Sequence, residues 1–207
     1  SPSCAMASAV ATLDALAAAG DAAGIVSLCE ALELELGHET LSVSDSATVY
    51  KAQMLGHLLL RQTDSARFLW KRLPAQFRDE PELVGLWAVG RARWAGDSAA
   101  ACAALAARPW APPVLPPLTS LLADRLREEE WETIGRAFKT IRPASLAGRL
   151  GLSPAAAAQG ADARGWPLQD GCYRPVRPPP PAGATPGADA LRQLTMFVAH
   201  MTADAGA

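Results

Sequence analysis

Residues 64–94 read DSARFLWKRLPAQFRDEPELVGLWAVGRARW. The stretch begins with an aspartate, a preferred helix-start residue, and its first helical run ends at a proline. Its aromatic residues are Phe68, Trp70, Phe77, Trp87 and Trp94. Nothing in the stretch resembles an active site, and its aromatics are typical of helices that pack on one another. The stretch therefore predicts a helical scaffold, and it points to what the protein docks with rather than to what it transforms.

The turn before this stretch recurs along the chain. Gly20-Asp21, Thr63-Asp64 and Gly96-Asp97 each separate two helical runs, and we expect each aspartate to cap the second run. The aspartates are separated by 43 and 33 residues, the range of helical-hairpin repeats. The full tetratricopeptide consensus is absent, and Gly-Asp is also a common helix–helix turn. We interpret the pattern as a degenerate, tetratricopeptide-like solenoid.

The remaining periodicity predicts a mainly α fold. The predicted helices span residues 7–19, 22–36, 46–61, 64–74, 81–95, 97–107, 118–127 and 128–141. We expect a polar loop at residues 37–45 and a second loop at the proline cluster of residues 109–117.

Composition limits the classes of function. The chain has 207 residues, half of them apolar, and a net charge of −2, so no global field attracts nucleic acid or anionic membrane. No apolar run approaches the roughly 18 residues of a membrane span, and the N-terminal residues do not read as a secretory signal. The four cysteines form no close pair, which is typical of buried thiols in a reduced, intracellular protein rather than of a zinc site.

After the predicted solenoid the sequence changes character. Residues 143–154, PASLAGRLGLSP, predict a short helix, a glycine turn and a second helix with a serine cap. Residues 165–176, GWPLQDGCYRPV, predict two extended pieces around the hairpin turn Asp170-Gly171. Helix, turn, helix and hairpin together predict a winged helix.

We therefore expect four segments along the chain. They are a helical-repeat domain at residues 1–141, a winged-helix subdomain at 142–178, a Pro/Gly linker at 179–187 and a C-terminal segment at 188–207 whose helix serves complex assembly. The apolar stripe of that last helix consists of Leu191, Leu194, Phe197, Val198 and Met201. The stripe either joins a partner's core or packs on the chain's own domain.

The sequence contains no recognisable catalytic motif. GxSxG, GxxxxGK[ST], GxGxxG and HExxH are all absent. His38, His57 and His200 stand alone, and His57 lies among apolar residues, where we expect a satisfied core histidine. The acidic run at residues 128–132 is expected at a helix start, facing solvent. We predict no catalytic residue, no metal site and no cofactor.

Because many winged helices bind DNA, nucleic-acid binding is a second hypothesis for this segment. Its second helix, SPAAAAQGADAR at residues 153–164, would have to carry side chains that reach base edges. Only Gln159 and Arg164 offer donors, and Asp162 would repel phosphates. Specific nucleic-acid binding is therefore not expected, although a nucleic-acid-binding winged-helix adaptor remains the alternative from another class. The alanine-rich surface instead suits close packing, and the hairpin offers an edge strand to a partner.

Helical hairpins followed by a winged helix and a last helix resemble the PCI-domain proteins of the proteasome lid, the signalosome and initiation factor three. Residues 64–74, followed by WAVG at 87–90 and Arg93-Trp94, resemble the subunit 8 family of the constitutive photomorphogenesis 9 (COP) signalosome, especially its plant forms. LGL at residues 150–152 and LRQLT at 191–195 resemble later parts of that family. The proline-rich segments at 109–117 and 178–186 depart from its pattern.

This resemblance implies a non-catalytic subunit, in the nucleus and cytoplasm, of a complex whose isopeptidase resides in another subunit and removes the Nedd modifier from cullins. It implies other PCI subunits as partners, which join through the winged-helix edge and through the last helix. The wing residues that we predict at a partner interface are Cys172, Tyr173 and Val176. The small PCI subunit of the proteasome lid and the k subunit of initiation factor three are the related alternatives.

Overall fold

The structure is a computed structural model, and it describes the backbone of residues 2–40, 43–112, 114–177, 192 and 194–196, with the side chains of residues 9, 11–34, 45–112, 114–177, 192 and 194–196. Its helices are α1 (Pro2–Ala19), α2 (Ala22–Thr40), α3 (Val43–Leu59), α4 (Thr63–Arg72), α5 (Ala75–Arg78), α6 (Pro81–Trp94), α7 (Ser98–Ala106), α8 (Leu115–Ala137), α9 (Pro143–Leu150) and α10 (Pro154–Ala163). Its strands are β1 (Leu168–Gln169) and β2 (Cys172–Tyr173). Two units divide the chain, Ser1–Val176 and Arg177–Ala207.

The fold confirms the mainly α class, and two of the three predicted aspartate caps are in place. Asp21 accepts a hydrogen bond from the Gly24 amide at 2.9 Å, and Asp97 accepts one from the Ala100 amide at 2.9 Å. Each cap follows a glycine with positive φ.

The cap that we predicted at Asp64 is wrong. Helix α4 begins at Thr63, and its cap position is Gln62, which makes no side-chain cap bond. Arg61 takes the positive φ of 62° that glycine takes at the other two turns. The turn therefore starts two residues earlier than the sequence indicated, and Asp64 lies in the first turn of the helix.

Three predicted element boundaries also need correction. The predicted loop at residues 37–45 is shorter, because α2 extends to Thr40 and α3 starts at Val43. The predicted helices 118–127 and 128–141 form one continuous helix, α8, because no glycine or proline lies at their predicted junction. Pro74 is followed by the unpredicted single-turn helix α5.

Helices α1 to α8 enclose the larger of two hydrophobic cores. They form a stack in which α8, the last helix, packs back on the first ones. Helix α6 packs on α3, α4 and α7, while α8 returns to pack on α1 and α3. Leucine is the commonest residue of this core, and its fully buried members include Leu13, Ile25, Met54, Leu58, Leu83, Leu86, Leu118 and Leu122. An open solenoid contacts only its sequence neighbours, so α8 turns this stack into a closed body.

A second, smaller core lies under the winged helix. It is built from α8, α9, α10 and β2, and its buried aromatic residues are Trp131, Trp166 and Tyr173. The Trp131 and Trp166 rings meet edge to face at 5.0 Å. Gly160 of α10 lies directly on Trp131, since a Cβ added to Gly160 would come within 2.6 Å of the ring. The alanine-rich helix is thus a close-packing surface, as its sequence indicated.

A part-buried charge cluster ties α3 to the start of α6. The Lys51 ammonium lies 2.7 Å from Glu80 and 2.6 Å from Glu82. Burial by itself disfavours the charged form of each group, but the hydrogen bonds between them outweigh burial. The pKa of Lys51 is therefore raised and the pKa of Glu80 is lowered, the latter also by the Leu83 amide that Glu80 caps.

We expect Gly160→Ala to lower the free energy of unfolding by about 1–2 kcal/mol. The added methyl group overpacks the Trp131 ring, which already contacts Trp166 and Arg164, and the strain exceeds the gain in helix propensity. Gly148→Ala is the matched control, because the space around that helical glycine is open. It should raise the free energy of unfolding by up to about 1 kcal/mol. Urea unfolding of both variants measures the difference, and equal effects would contradict the close packing of α10.

We expect Lys51→Met to destabilise the protein by about 3 kcal/mol at neutral pH, because it leaves two carboxylates without their cation. The stabilisation from Glu80 is present above the ordinary carboxyl pKa of 4.5 and disappears as pH falls below it. The stabilisation from Lys51 persists to its ordinary pKa of 10.5 and disappears as pH rises beyond the raised value.

Unfolding midpoints of wild type and Lys51→Met should therefore differ most between these two values and converge at either extreme. Lys139→Met serves as the control, since Lys139 is exposed and makes no ion pair within the described part of the chain. A constant difference at all pH values would refute the electrostatic origin.

Candidate partner-binding surfaces

The wing consists of β1, β2 and the turn between them. Asp170 and Gly171 both have positive φ, 53° and 74°, as a two-residue hairpin turn requires. This turn sets the register, with Gln169 opposite Cys172 and Leu168 opposite Tyr173. The Asp170-Gly171 turn predicted from the sequence is confirmed.

Strand β2 has a neighbour on each side. Beyond its pairing with β1, Tyr173 exchanges two backbone hydrogen bonds with Ile141, at 2.8 and 2.9 Å. In the antiparallel register the Leu168 amide and carbonyl point away from β2. The free edge of the wing is therefore β1, which sequence reasoning missed because the Ile141 bridge is not local in the chain.

The predicted wing residues occupy different environments. The Tyr173 ring is 5% exposed and faces the winged-helix core. Cys172 is partly buried, and Val176 is exposed. Leu168, which the sequence analysis did not select, is 57% exposed. An exposed leucine on a free strand edge is a feature that monomeric proteins usually avoid.

The predicted stripe of the last helix falls mostly outside the described residues. Leu191, Phe197, Val198 and Met201 lie there. Of the described residues in this unit, Leu194 and Met196 are helical, and both side chains are exposed.

The second helix of the winged helix presents little positive charge. Gln159 and Asp162 are exposed. Arg164, at the C-cap, pairs with Glu128, and its guanidinium lies 4.3 Å from the Trp131 ring centre. Arg164, the arginine of this helix that we considered for nucleic-acid binding, is therefore engaged in contacts within the protein.

A charged cavity of about 640 Å³ lies beside α8, where the two cores meet. We predicted that the acidic run faces solvent, and this is wrong for Glu130, which is buried. The Glu130 carboxylate accepts a hydrogen bond of 2.6 Å from Arg149 Nε and one of 3.0 Å from Ser98 Oγ. Glu129 pairs with Arg93 at 2.9 Å. Each carboxylate is held by an arginine from another helix, an arrangement that serves packing rather than acid–base chemistry.

The Cys29 thiol and the His57 ring are shielded from solvent. Burial, with smaller contributions from Glu33 and Glu30, raises the pKa of the Cys29 thiol to about 12, so it stays protonated at neutral pH. His57 is buried and its Nδ1 lies 2.9 Å from Gln62 Oε1, which confirms the satisfied core histidine. The described residues hold no cluster of ligands for a metal ion. Within the same residues, the helices are too short or too polar to cross a membrane.

The chain is similar in sequence to known proteins over most of its length. A sequence model described as the CSN8/PSMD8/EIF3K family matches residues 45–182. The COP9 signalosome complex subunit 8 of Danio rerio is 30% identical over 157 residues, 74% of this chain and 82% of that protein. The subunit 8 proteins of Arabidopsis thaliana and Xenopus tropicalis are 28% and 29% identical, over 69% and 74% of this chain and 72% and 81% of their own lengths.

We expect Arg149→Met to destabilise the protein by about 1.5–3 kcal/mol, because it removes a charged hydrogen bond from the buried Glu130 carboxylate. Arg142→Met is the control, since Arg142 is exposed and has no ion pair in the described structure. Its effect should stay within about 0.5 kcal/mol. Chemical unfolding of both variants tests this, and a similar loss in each would show that Glu130 needs no partner.

Proposed function

The chain belongs to the CSN8/PSMD8/EIF3K family, and we propose that it is a non-catalytic scaffold subunit of a COP9 signalosome. The observation that carries the proposal is its similarity to signalosome subunit 8 proteins from fish, frog and plant over most of their length. The charge pairing of α8 and the raised pKa of Cys29 support a structural role.

On this proposal the protein acts through assembly. It supports the removal of the Nedd modifier from cullins, and thereby the regulation of cullin-RING ubiquitin ligases, while the isopeptidase resides in another subunit. Its place of action is the nucleus and the cytoplasm.

We propose that the wing joins a neighbouring PCI subunit through the β1 edge. An antiparallel or parallel strand added there would accept and donate bonds at Leu168, whose backbone polar groups point outward. The exposed Leu168 and Val176 side chains would be covered at the same time. Burial of such side chains contributes about 25 cal/mol per Å² of apolar surface removed from water.

The last helix is the second proposed contact. Its predicted stripe of Leu191, Leu194, Phe197, Val198 and Met201 has the spacing of a bundle helix. Leu194 is exposed in the described structure. A helix bundle with other subunits would bury this stripe.

Co-purification tests the proposed function. The tagged full chain, expressed in cells of its source, should recover the other signalosome subunits together with activity that removes Nedd from cullins. Recovery of proteasome-lid or initiation-factor subunits in their place would refute the proposal.

We expect Leu168→Asp to lower the recovery of signalosome subunits at least ~tenfold, which corresponds to about 1.4 kcal/mol of binding free energy. A buried carboxylate at the strand edge would lack a partner. Leu34→Asp is the control, because Leu34 is 87% exposed and lies on α2, far along the chain from the wing. Both variants should unfold at the wild-type midpoint. Equal recovery from the two would refute the β1 edge as the contact.

A further inference from the structure

A shallow groove separate from the wing lies between α4 and α6. Its volume is about 280 Å³, and it is lined by Thr63, Arg67, Trp87, Gly90, Arg91 and Trp94. The α6 members follow i, i+3, i+4, i+7 spacing, which usually marks a helix face turned to the core. Here that face reaches solvent, since Trp94 is 57% exposed.

The floor of the groove is held in place from beneath. The Trp87 ring stacks on the Trp70 ring with 5.5 Å between centres and 7° between planes. Gly90 is buried and has no side chain to fill the space above it; an added Cβ would meet Trp87 at 3.4 Å. The floor is thus a rigid aromatic surface that needs little rearrangement to receive an apolar group.

The rim of the groove carries only positive charge. Arg67 and Arg91 are both exposed, and neither has a carboxylate within ion-pair distance in the described part of the chain. Arg67 lies 5.6 Å from the centre of the Trp94 ring, which positions its guanidinium at the edge of the groove. Arg93, also on α6, differs from these two arginines because it forms an ion pair with Glu129.

We propose that this groove binds an acidic peptide segment of a partner protein that carries one large apolar side chain. The apolar side chain would lie on Trp87 and against Trp94. Carboxylates on either side of it would pair with Arg67 and Arg91, whose planar guanidinium groups favour bidentate carboxylate contacts. The volume admits one such side chain and is below that of typical small-molecule pockets.

Charge favours a peptide over single-stranded nucleic acid as the occupant. Tryptophan and arginine also serve as stacking platforms for bases. However, a strand needs a track of cations along its backbone. This groove provides two arginines, which can pair with two carboxylates but do not form a track along a strand's backbone.

Selection from a short-peptide display library on the immobilised full chain tests the proposal. We expect enrichment of peptides that place acidic residues around a tryptophan, phenylalanine or leucine. A fluorescein-labelled synthetic copy of an enriched peptide should then bind the full chain in solution, measured by fluorescence anisotropy. Its affinity should weaken at least ~tenfold for Trp94→Ser and for the double variant Arg67→Glu, Arg91→Glu.

Matched controls separate the groove from the surface in general. Phe68→Ser removes an aromatic side chain that is 59% exposed on α4 but does not line the groove, and Arg142→Glu reverses an exposed charge at the N-cap of α9. Both should bind the peptide as wild type does. All altered side chains are exposed, so the variants should keep the wild-type unfolding midpoint.

Three results would overturn the proposal. The first is a library that yields no acidic-apolar enrichment. The second is an enriched peptide that binds the groove variants as tightly as it binds wild type. The third is a labelled single-stranded oligonucleotide that binds more tightly than the peptide and loses affinity in the same variants, which would identify the groove as a nucleic-acid site. None of these results bears on assembly through the wing.

Discussion

The continuity of α8 is the constraint on which the rest of the first unit depends. Its early residues, such as Leu118 and Leu122, complete the core of the helical stack. Its later residues, Trp131 and Ile134, form the floor of the winged helix. A helix of 23 residues is about 35 Å long and resists bending. Helix α8 is therefore one rigid element shared by both cores. The winged helix is thereby held in a fixed relation to the stack.

Along α8, charged residues lie between the part that belongs to the first core and the part that belongs to the second. The part-buried Glu129 and the buried Glu130 lie where α8 leaves the stack, and they pair with arginines of α6 and α9. The exposed Glu128 beside them pairs with Arg164 at the C-cap of α10. Buried or part-buried charges contribute little net stability, but an unpaired one is costly. A misplaced helix would leave such a charge unpaired. The pairs therefore disfavour other arrangements of the helices around α8.

Sequence reasoning succeeded where a local rule sets the structure. The caps at Asp21 and Asp97, the cap at Ser153 and the Asp170-Gly171 turn follow from one residue and its neighbours. It failed at Asp64, where Arg61 takes the left-handed turn and the helix starts earlier. It also failed where distant residues decide. The acidic run was expected to face solvent because the arginines that neutralise it, Arg93 and Arg149 among them, lie on other helices. The free edge at Leu168 depends on the Ile141 bridge in the same way.

The two kinds of surface on this protein suit different tasks. A strand edge offers backbone hydrogen bonds that any extended chain can make, so its selectivity has to come from the side chains around it. The groove of α4 and α6 combines a rigid aromatic floor with two exposed arginines, and the proposed selection is by charge and shape. The strand edge and the groove lie within one unit of the chain, which contains α8. Occupants of the two surfaces would be kept at a set spacing, which raises the effective concentration of one for the other. In the proposed scaffold role, the protein would affect a reaction in this way, because the separation between bound partners is itself a property of the fold.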